Sequence, residues 1–166
     1  MLQPVLRRTW ARRGCTPIQY SWARRDRVSV MSAITVSPQR RRLGLYFALQ
    51  QHNIRTPDVE EFVSEMLDHL RHGLILVLDR WQVHRSAARR LLYRFPRRLQ
   101  VEWLPPYAPQ LNPVEQIWVQ AKYRDLANFL PQDVIDLRQA VEQSIQQTGT
   151  QQSLLRSFFR HAQLRL

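Results

Sequence analysis

The sequence predicts a single α/β domain in which helices flank a mixed sheet. Residues 28–36 are rich in β-branched side chains, and residues 43–50 alternate between large apolar and other residues, which together indicate a β-hairpin. Further along, the apolar run LILVL at residues 74–78 lies between two stretches with helical spacing of apolar residues. An order of hairpin, helix, strand, helix, strand and helices is typical of layered α/β folds.

The remaining elements follow from local signals. Thr56, Pro57 and Asp58 predict a helix start, and the apolar residues after them continue at helical spacing to about Gly73. Because LILVL is apolar at every position, we predict a central parallel strand buried on both faces. The segment after LILVL predicts a helix whose apolar stripe contains Ala87, Ala88, Leu91, Leu92 and Phe95, and whose other face carries arginines. A short strand at residues 99–103 and helices around residues 134–145 and 154–159 complete the chain.

We divide the chain into three segments. Residues 1–27 form a basic arm or hairpin remnant, residues 28–147 the main α/β domain, and residues 148–166 a C-terminal helix. Arginines and aromatic residues alternate in the arm, which suits contact with bases and phosphates. A solvated basic segment with its tryptophans packed on the core explains the same pattern equally well.

The charge balance favours a polyanionic partner, nucleic acid above all. Among 166 residues, 25 Lys and Arg stand against 13 Asp and Glu, for a formal net charge of +12. All but one of the basic residues are arginine, which suits bidentate contact with phosphate, although a GC-rich genome also enriches arginine. One cysteine excludes a disulfide framework, and no apolar run is long enough to cross a membrane. We therefore expect a cytoplasmic protein.

A proline-rich loop leads into a short helix near residue 113. Pro105, Pro106 and Pro109 predict a stiff, non-helical connector. Asn112 as N-cap and Pro113 at the first helical position predict that a helix opens there, with Glu115 in its first turn. Asn-x-x-Glu is also capping-box spacing, so the alternative role for Glu115 is to cap its own helix.

Two carboxylates fall at positions where α/β proteins place functional groups. Asp79 ends the predicted strand LILVL, and Glu115 follows the loop after the next strand. Sites in open sheets lie at the carboxyl ends of strands, so the two side chains are expected to converge. Paired carboxylates suit Mg²⁺ or Mn²⁺. The alternative for Asp79 is that it caps the turn that follows it.

Two segments resemble the DDE catalytic domain of mariner-related bacterial insertion-sequence transposases. They are ILVLDRWQVHRS at residues 75–86 and VEWLPPYAPQLNPVEQIWVQAKYRDLANF at residues 101–129. The block LPPYAP-x-LNP-x-E is the most specific part. The segment RRTWARRGCTP and the hairpin also resemble the region upstream in that family, whereas the last helix is the least diagnostic part.

The resemblance implies an RNase H-like fold and a site in which two aspartates and a glutamate bind two Mg²⁺ or Mn²⁺ ions. Asp79 matches the second aspartate and Glu115 the glutamate, while His84 and Asn112 match positions near the site. For His84 a local hydrogen bond at a helix start is an equal alternative. DNA, as element ends and target, is the implied substrate. We expect Arg12, Arg13, Arg85, Arg89, Arg90 and Lys122 to contact it.

The chain departs from the family at the first aspartate. In the family this residue lies on a strand just before the region that Leu2 to Trp10 resemble, and Asp26 is a poor substitute because it lies on the wrong side of the hairpin. We therefore expect an N-terminally truncated domain whose first strand is missing or incomplete.

Two functions follow from this reading. The first is metal-dependent DNA cleavage and strand transfer in transposition by a nucleoid-associated bacterial protein, completed by an upstream transposase fragment or a second transposase subunit. The alternative is a catalytically inactive protein that binds DNA or pairs with a transposase.

Overall fold

The computed structural model describes Val5, Arg7, Arg8, residues 10–15, Ile18 and residues 27–166. Four strands and five α-helices follow one another in the order that the sequence predicts. They are β1 (Ser29–Val36), β2 (Leu43–Gln50), α1 (Thr56–His69), β3 (Leu74–Leu78), α2 (Gln82–Arg94), β4 (Leu99–Trp103), α3 (Glu115–Gln120), α4 (Val134–Thr150) and α5 (Gln152–His161). The prediction of a mixed α/β protein is confirmed.

The strands form two separate sheets within the described residues. β1 and β2 pair antiparallel from Ser29 opposite Gln50 to Val36 opposite Leu43. β3 and β4 pair parallel from Leu74 opposite Leu99 to Leu78 opposite Trp103. No ladder joins the two pairs in the described part of the chain, so the prediction of one mixed sheet is wrong for these residues.

β3 is not the doubly covered strand that its composition suggested. Leu76 is buried against α1 and α2, but Ile75 and Val77 are 64% and 55% exposed on the opposite face. The apolar run correctly predicted a strand. Whether both faces of that strand are buried depends on which elements pack over them. Nothing in the described residues covers this face of β3 as α4 and α5 cover the hairpin.

Two hydrophobic clusters hold the elements together. One lies between the hairpin and α3, α4 and α5, with Leu137, Val141, Ile145 and Leu155 fully buried at its centre. The other lies between α1, α2, β3 and β4, and the second face of the hairpin also packs on it. The hairpin is therefore the wall that the two clusters share.

α4 lies close to β2 because a glycine stands at the contact. A Cβ atom at Gly149 would approach the Cβ of Leu45 to 3.3 Å, which leaves little room for a larger residue. α5 contributes Leu155, Phe158 and Phe159 to the same cluster as α4. The predicted boundary at residues 147 and 148 lies inside α4, and the C-terminal helix packs in the core of the main domain.

Part of the N-terminal arm contacts the loop after α3. Val5 forms an isolated parallel bridge with Ala127, and the guanidinium of Arg7 donates to the carbonyl of Tyr123 at 3.0 Å. Arg12 and Arg13 are exposed in a turn closed by a 2.9 Å bond from Cys15 N to Arg12 O. Asp26 lies outside the described residues.

We expect the first cluster to respond strongly to a cavity at its centre. Replacing Ile145, which is fully buried on α4, by Ala should lower the free energy of unfolding by about 2–5 kcal/mol because apolar contacts are lost and a void remains. Ile135→Ala is the matched control, since Ile135 lies on the same helix but is 59% exposed. Equal losses for both variants in urea unfolding would contradict this account of the core.

Candidate active site

The parallel pairing of β3 and β4 brings two functional segments to one edge. The ladder extends one step beyond the strands, where Leu104 N donates to Leu78 O at 2.8 Å. Asp79 follows directly after Leu78, and the proline-rich loop begins at Leu104. Because the strands run in the same direction, the residues after them emerge side by side.

Asp79 is held by its own chain through one of its two oxygens. Its Oδ1 accepts a hydrogen bond from Trp81 N at 2.9 Å, and it accepts a second bond from His84 Nδ1 at 2.6 Å. The rings of Trp81 and His84 meet edge to face, 5.2 Å apart. Asp79 therefore caps the turn that follows it, which is the alternative role that the sequence offered for this residue. Oδ2 accepts no hydrogen bond from any described residue, so one oxygen remains available.

The loop reaches Glu115 through a tight turn. Asn112 Oδ1 accepts from Val114 N at 3.1 Å, while Glu115 N donates to Asn112 O at 3.1 Å. This turn of i to i+3 bonds delays the α-helix, which begins at Glu115. The prediction that Asn112 is the N-cap and Pro113 the first helical residue is therefore wrong by two positions.

The capping-box explanation of Glu115 does not hold in this structure. The backbone N–H of Asn112, which a capping box would pair with the Glu115 side chain, donates to Pro109 O at 2.9 Å. The Glu115 carboxylate accepts no hydrogen bond from the described residues. A half-buried carboxylate without such a partner is costly unless another ligand compensates it.

The pKa of Glu115 differs from that of an ordinary surface carboxyl group. Burial raises the pKa of Glu115 above its usual value, and the nearby negative charge of Asp79 raises that pKa further. Asp79 and Glu115 are thus close enough to repel each other.

A cavity of about 380 Å³ opens between the strand ends and the loop. Asp79, Asn112 and Glu115 line it together with Trp81 and Tyr107. Tyr107 has a positive φ of 57°, which is uncommon for a bulky residue, and its side chain is fully exposed. The sequence alone predicted no role for these two aromatic residues. Trp81 lies two residues after Asp79, and Tyr107 lies within LPPYAP, and these positions were the available signal.

The structure places the predicted basic residues in different surroundings. Arg85 and Arg89 are exposed on α2, whereas Arg90 donates to Glu60 of α1 at 3.0 Å. Lys122 follows α3 in a π-helical turn, with its Nζ 5.4 Å from the centre of the Tyr123 ring. Arg12 and Arg13 belong to the exposed turn of the arm. Arg85 and Arg89 line a groove next to the cavity.

The donors at the cavity fit a hard divalent cation. Carboxylate oxygens are the ligands that Mg²⁺ prefers, and a cation would relieve both the repulsion of Asp79 and Glu115 and the burial of Glu115. Among the described residues, no group of three acidic, histidine or cysteine side chains converges in this way. The pair can therefore offer two carboxylate ligands to such an ion.

We expect Glu115→Gln to stabilise the protein at neutral pH. Since the pKa of Glu115 is raised on folding, the native state binds more protons than the unfolded state between pH of about 4.3 and the raised value, so stability falls as pH rises through that window. The glutamine should recover less than about 1 kcal/mol at pH 7, given solvent screening. The gain should vanish below pH of about 4.

Urea unfolding at both pH values measures this difference. Glu61→Gln on the exposed face of α1 is the control and should change little. A loss of stability in Glu115→Gln at pH 7 would show that the helix terminus stabilises the charged form more than burial opposes it.

Comparison with known proteins places the chain in a family. Residues 1–138 match the family described as DDE superfamily endonuclease. Neither the curated proteins nor the solved structures provide a match. The match covers the hairpin, the parallel strand pair, the cavity and both carboxylates. This chain belongs to the DDE superfamily endonuclease family.

Proposed function

We propose that the chain is the catalytic domain of a transposase of mariner-related bacterial insertion sequences, with an RNase H-like arrangement of its strands. The observation that carries the proposal is the pair of Asp79 and Glu115 in one cavity, where their like charges are brought together. Membership of a DDE endonuclease family implies DNA as the substrate. The high arginine content agrees with that substrate.

The proposed reaction is the displacement of one oxygen at a DNA phosphodiester. The oxygen of water, or of a 3′-hydroxyl in strand transfer, forms the new bond to phosphorus, and the 3′-oxygen of the cut strand leaves. Asp79 and Glu115 would hold Mg²⁺ or Mn²⁺, which when bound supplies positive charge that stabilises the charged phosphate oxygens.

The residues around the pair have positioning roles. His84 donates to Asp79 Oδ1 and so fixes the side-chain orientation, while Oδ2 accepts no hydrogen bond from a described residue. Asn112 holds the turn that delivers Glu115 through its bond from Val114 N. Neither residue needs to contact the substrate in order to affect the site.

Carboxylate substitutions test the cleavage function. The full chain should nick supercoiled plasmid DNA in Mg²⁺, and Asp79→Asn or Glu115→Gln should lower the rate by at least about 100-fold, the size of effect seen when transition-state charge stabilisation is removed. Asp68→Asn and Glu61→Gln on the exposed face of α1 change charge equally and should cut normally. Undiminished nicking in the two site variants would refute the assignment.

Metal binding can be measured without activity. Mg²⁺ should raise the urea midpoint of the wild type, because a ligand that binds only the native state stabilises it. Asp79→Asn and Glu115→Gln should lose this response, while Asp68→Asn and Glu61→Gln should keep it. A response that persists in the site variants would locate the Mg²⁺ elsewhere.

A second function is supported by the number of carboxylates. Only two converge among the described residues, whereas the transposases that this sequence resembles use three. A protein that binds DNA or pairs with a transposase without cutting needs no complete site. Salt-sensitive DNA binding by the wild type in EDTA, with no nicking in Mg²⁺, would favour this function over the first.

A further inference from the structure

A basic groove lies next to the carboxylate cavity. It has a volume of about 450 Å³ and is lined by Arg80, Arg85, Ala88, Arg89, Leu92 and Trp103. Arg80 follows Asp79 directly and lines the cavity as well as the groove. The two spaces thus adjoin each other at Arg80.

The groove has one cationic wall and one aromatic wall. Arg85 and Arg89 are four residues apart, so they project from the same side of α2, with Ala88 and Leu92 between and after them. Trp103 ends β4 on the other side and is 37% exposed. Leu92 was predicted to lie on the buried stripe of α2 but is 39% exposed here, where it forms part of the apolar lining.

The arginines of the groove differ from the other arginines near α2. Arg90 is paired with Glu60, and Arg98 donates to the carbonyls of Leu67 and Leu70 at the end of α1. The guanidinium groups of Arg85 and Arg89 have no hydrogen-bond or ion-pair partner among the described residues. Arg80 is oriented by a 3.2 Å bond from its Nε to Leu104 O.

Among the described residues, no acidic residue lines the groove. Glu102 precedes Trp103 on β4, but adjacent strand residues point to opposite faces, and its carboxylate accepts a bond from Gln100 Nε2 at 2.7 Å. The charged residues of the described lining are therefore all positive. An anion with a flat apolar group matches both walls.

We infer that this groove binds a single, unpaired DNA strand beside the cleavage site, with Arg85 and Arg89 on its phosphates and Trp103 stacked on a base. A base within a duplex has its faces covered by its neighbours, whereas an unpaired base presents one to an aromatic ring. The inference rests on the proposed function, because it extends the DNA substrate from the cavity along Arg80. The inference assigns contact with the DNA strand to three side chains, Arg85, Arg89 and Trp103. Substituting them leaves Asp79 and Glu115 unchanged.

Binding in EDTA tests the groove independently of metal and cleavage. The full chain, titrated into fluorescent oligothymidylate at low salt, should bind it more tightly than a duplex of the same length. Trp103→Leu keeps an apolar side chain but removes the stacking surface, and it should weaken single-strand binding by about tenfold. Tyr93→Leu is the aromatic control, since Tyr93 is 92% exposed on α2 outside the groove.

The salt dependence tests the arginine wall. Arg85→Gln combined with Arg89→Gln should reduce the slope of log K against log salt by about 1.4, because two phosphate contacts on a single strand are lost. Arg97→Gln combined with Arg160→Gln removes the same charge from exposed positions outside the groove and should leave most of that slope. Thermal unfolding checks that each variant is folded.

The binding results distinguish a failure of the groove assignment from a failure of the proposed function. Single-strand binding that is unaffected by Trp103→Leu and by the paired Arg85 and Arg89 substitutions, or duplex bound as tightly as the single strand, would overturn the groove assignment while leaving DNA as the substrate. No binding to either DNA at low salt would overturn the proposed function itself.

Discussion

The parallel ladder between β3 and β4 is the interaction on which the candidate site depends. It fixes Leu78 beside Trp103, and the extra bond from Leu104 N to Leu78 O carries the alignment to the point where both chains leave the sheet. Asp79 and the loop to Glu115 therefore start from adjacent positions. A shift of one residue in this register would turn the side chains after the strands to the other face.

The arginines of this chain do not form one undifferentiated basic surface. Arg98 satisfies carbonyl groups at the end of α1, and Arg90 joins α1 to α2 through Glu60. The hydrogen bonds and the ion pair of these two arginines help to hold the helices together. Because their guanidinium groups already have partners, they are less available to bind a polyanion. Arg85 and Arg89, whose guanidinium groups have no partner among the described residues, lie next to the carboxylate cavity, where a polyanion would meet them.

Much of the architecture could be predicted because it is local. The alternation of Leu43, Leu45, Phe47 and Leu49, and the helical spacing around Phe62 and Met66, specify their elements without reference to distant residues. The resemblance carried by LPPYAPQLNPVE led to the family, which the match over residues 1–138 shows. Asp79 and Glu115 were predicted as a pair because strand ends and loops converge in α/β folds.

The features that the sequence did not reveal depend on distant parts of the chain. LILVL has the composition of a buried strand, but exposure of Ile75 and Val77 is decided by which elements cover them. The start of α3 at Glu115 depends on a tight turn in which Asn112 N donates to Pro109 O, and local capping rules place it earlier. The groove is formed by α2 and Trp103 from another strand, so no single segment carries its signal.

The open face of β3 has a consequence for the behaviour of the protein in solution. Ile75 and Val77 present two β-branched side chains to water, while a net charge of +12 keeps molecules apart through mutual repulsion. Salt that strips nucleic acid from the arginines also shortens the range of that repulsion, to about 3 Å at 1 M. The conditions that free the protein from polyanions are therefore those in which its apolar strand face most readily drives self-association.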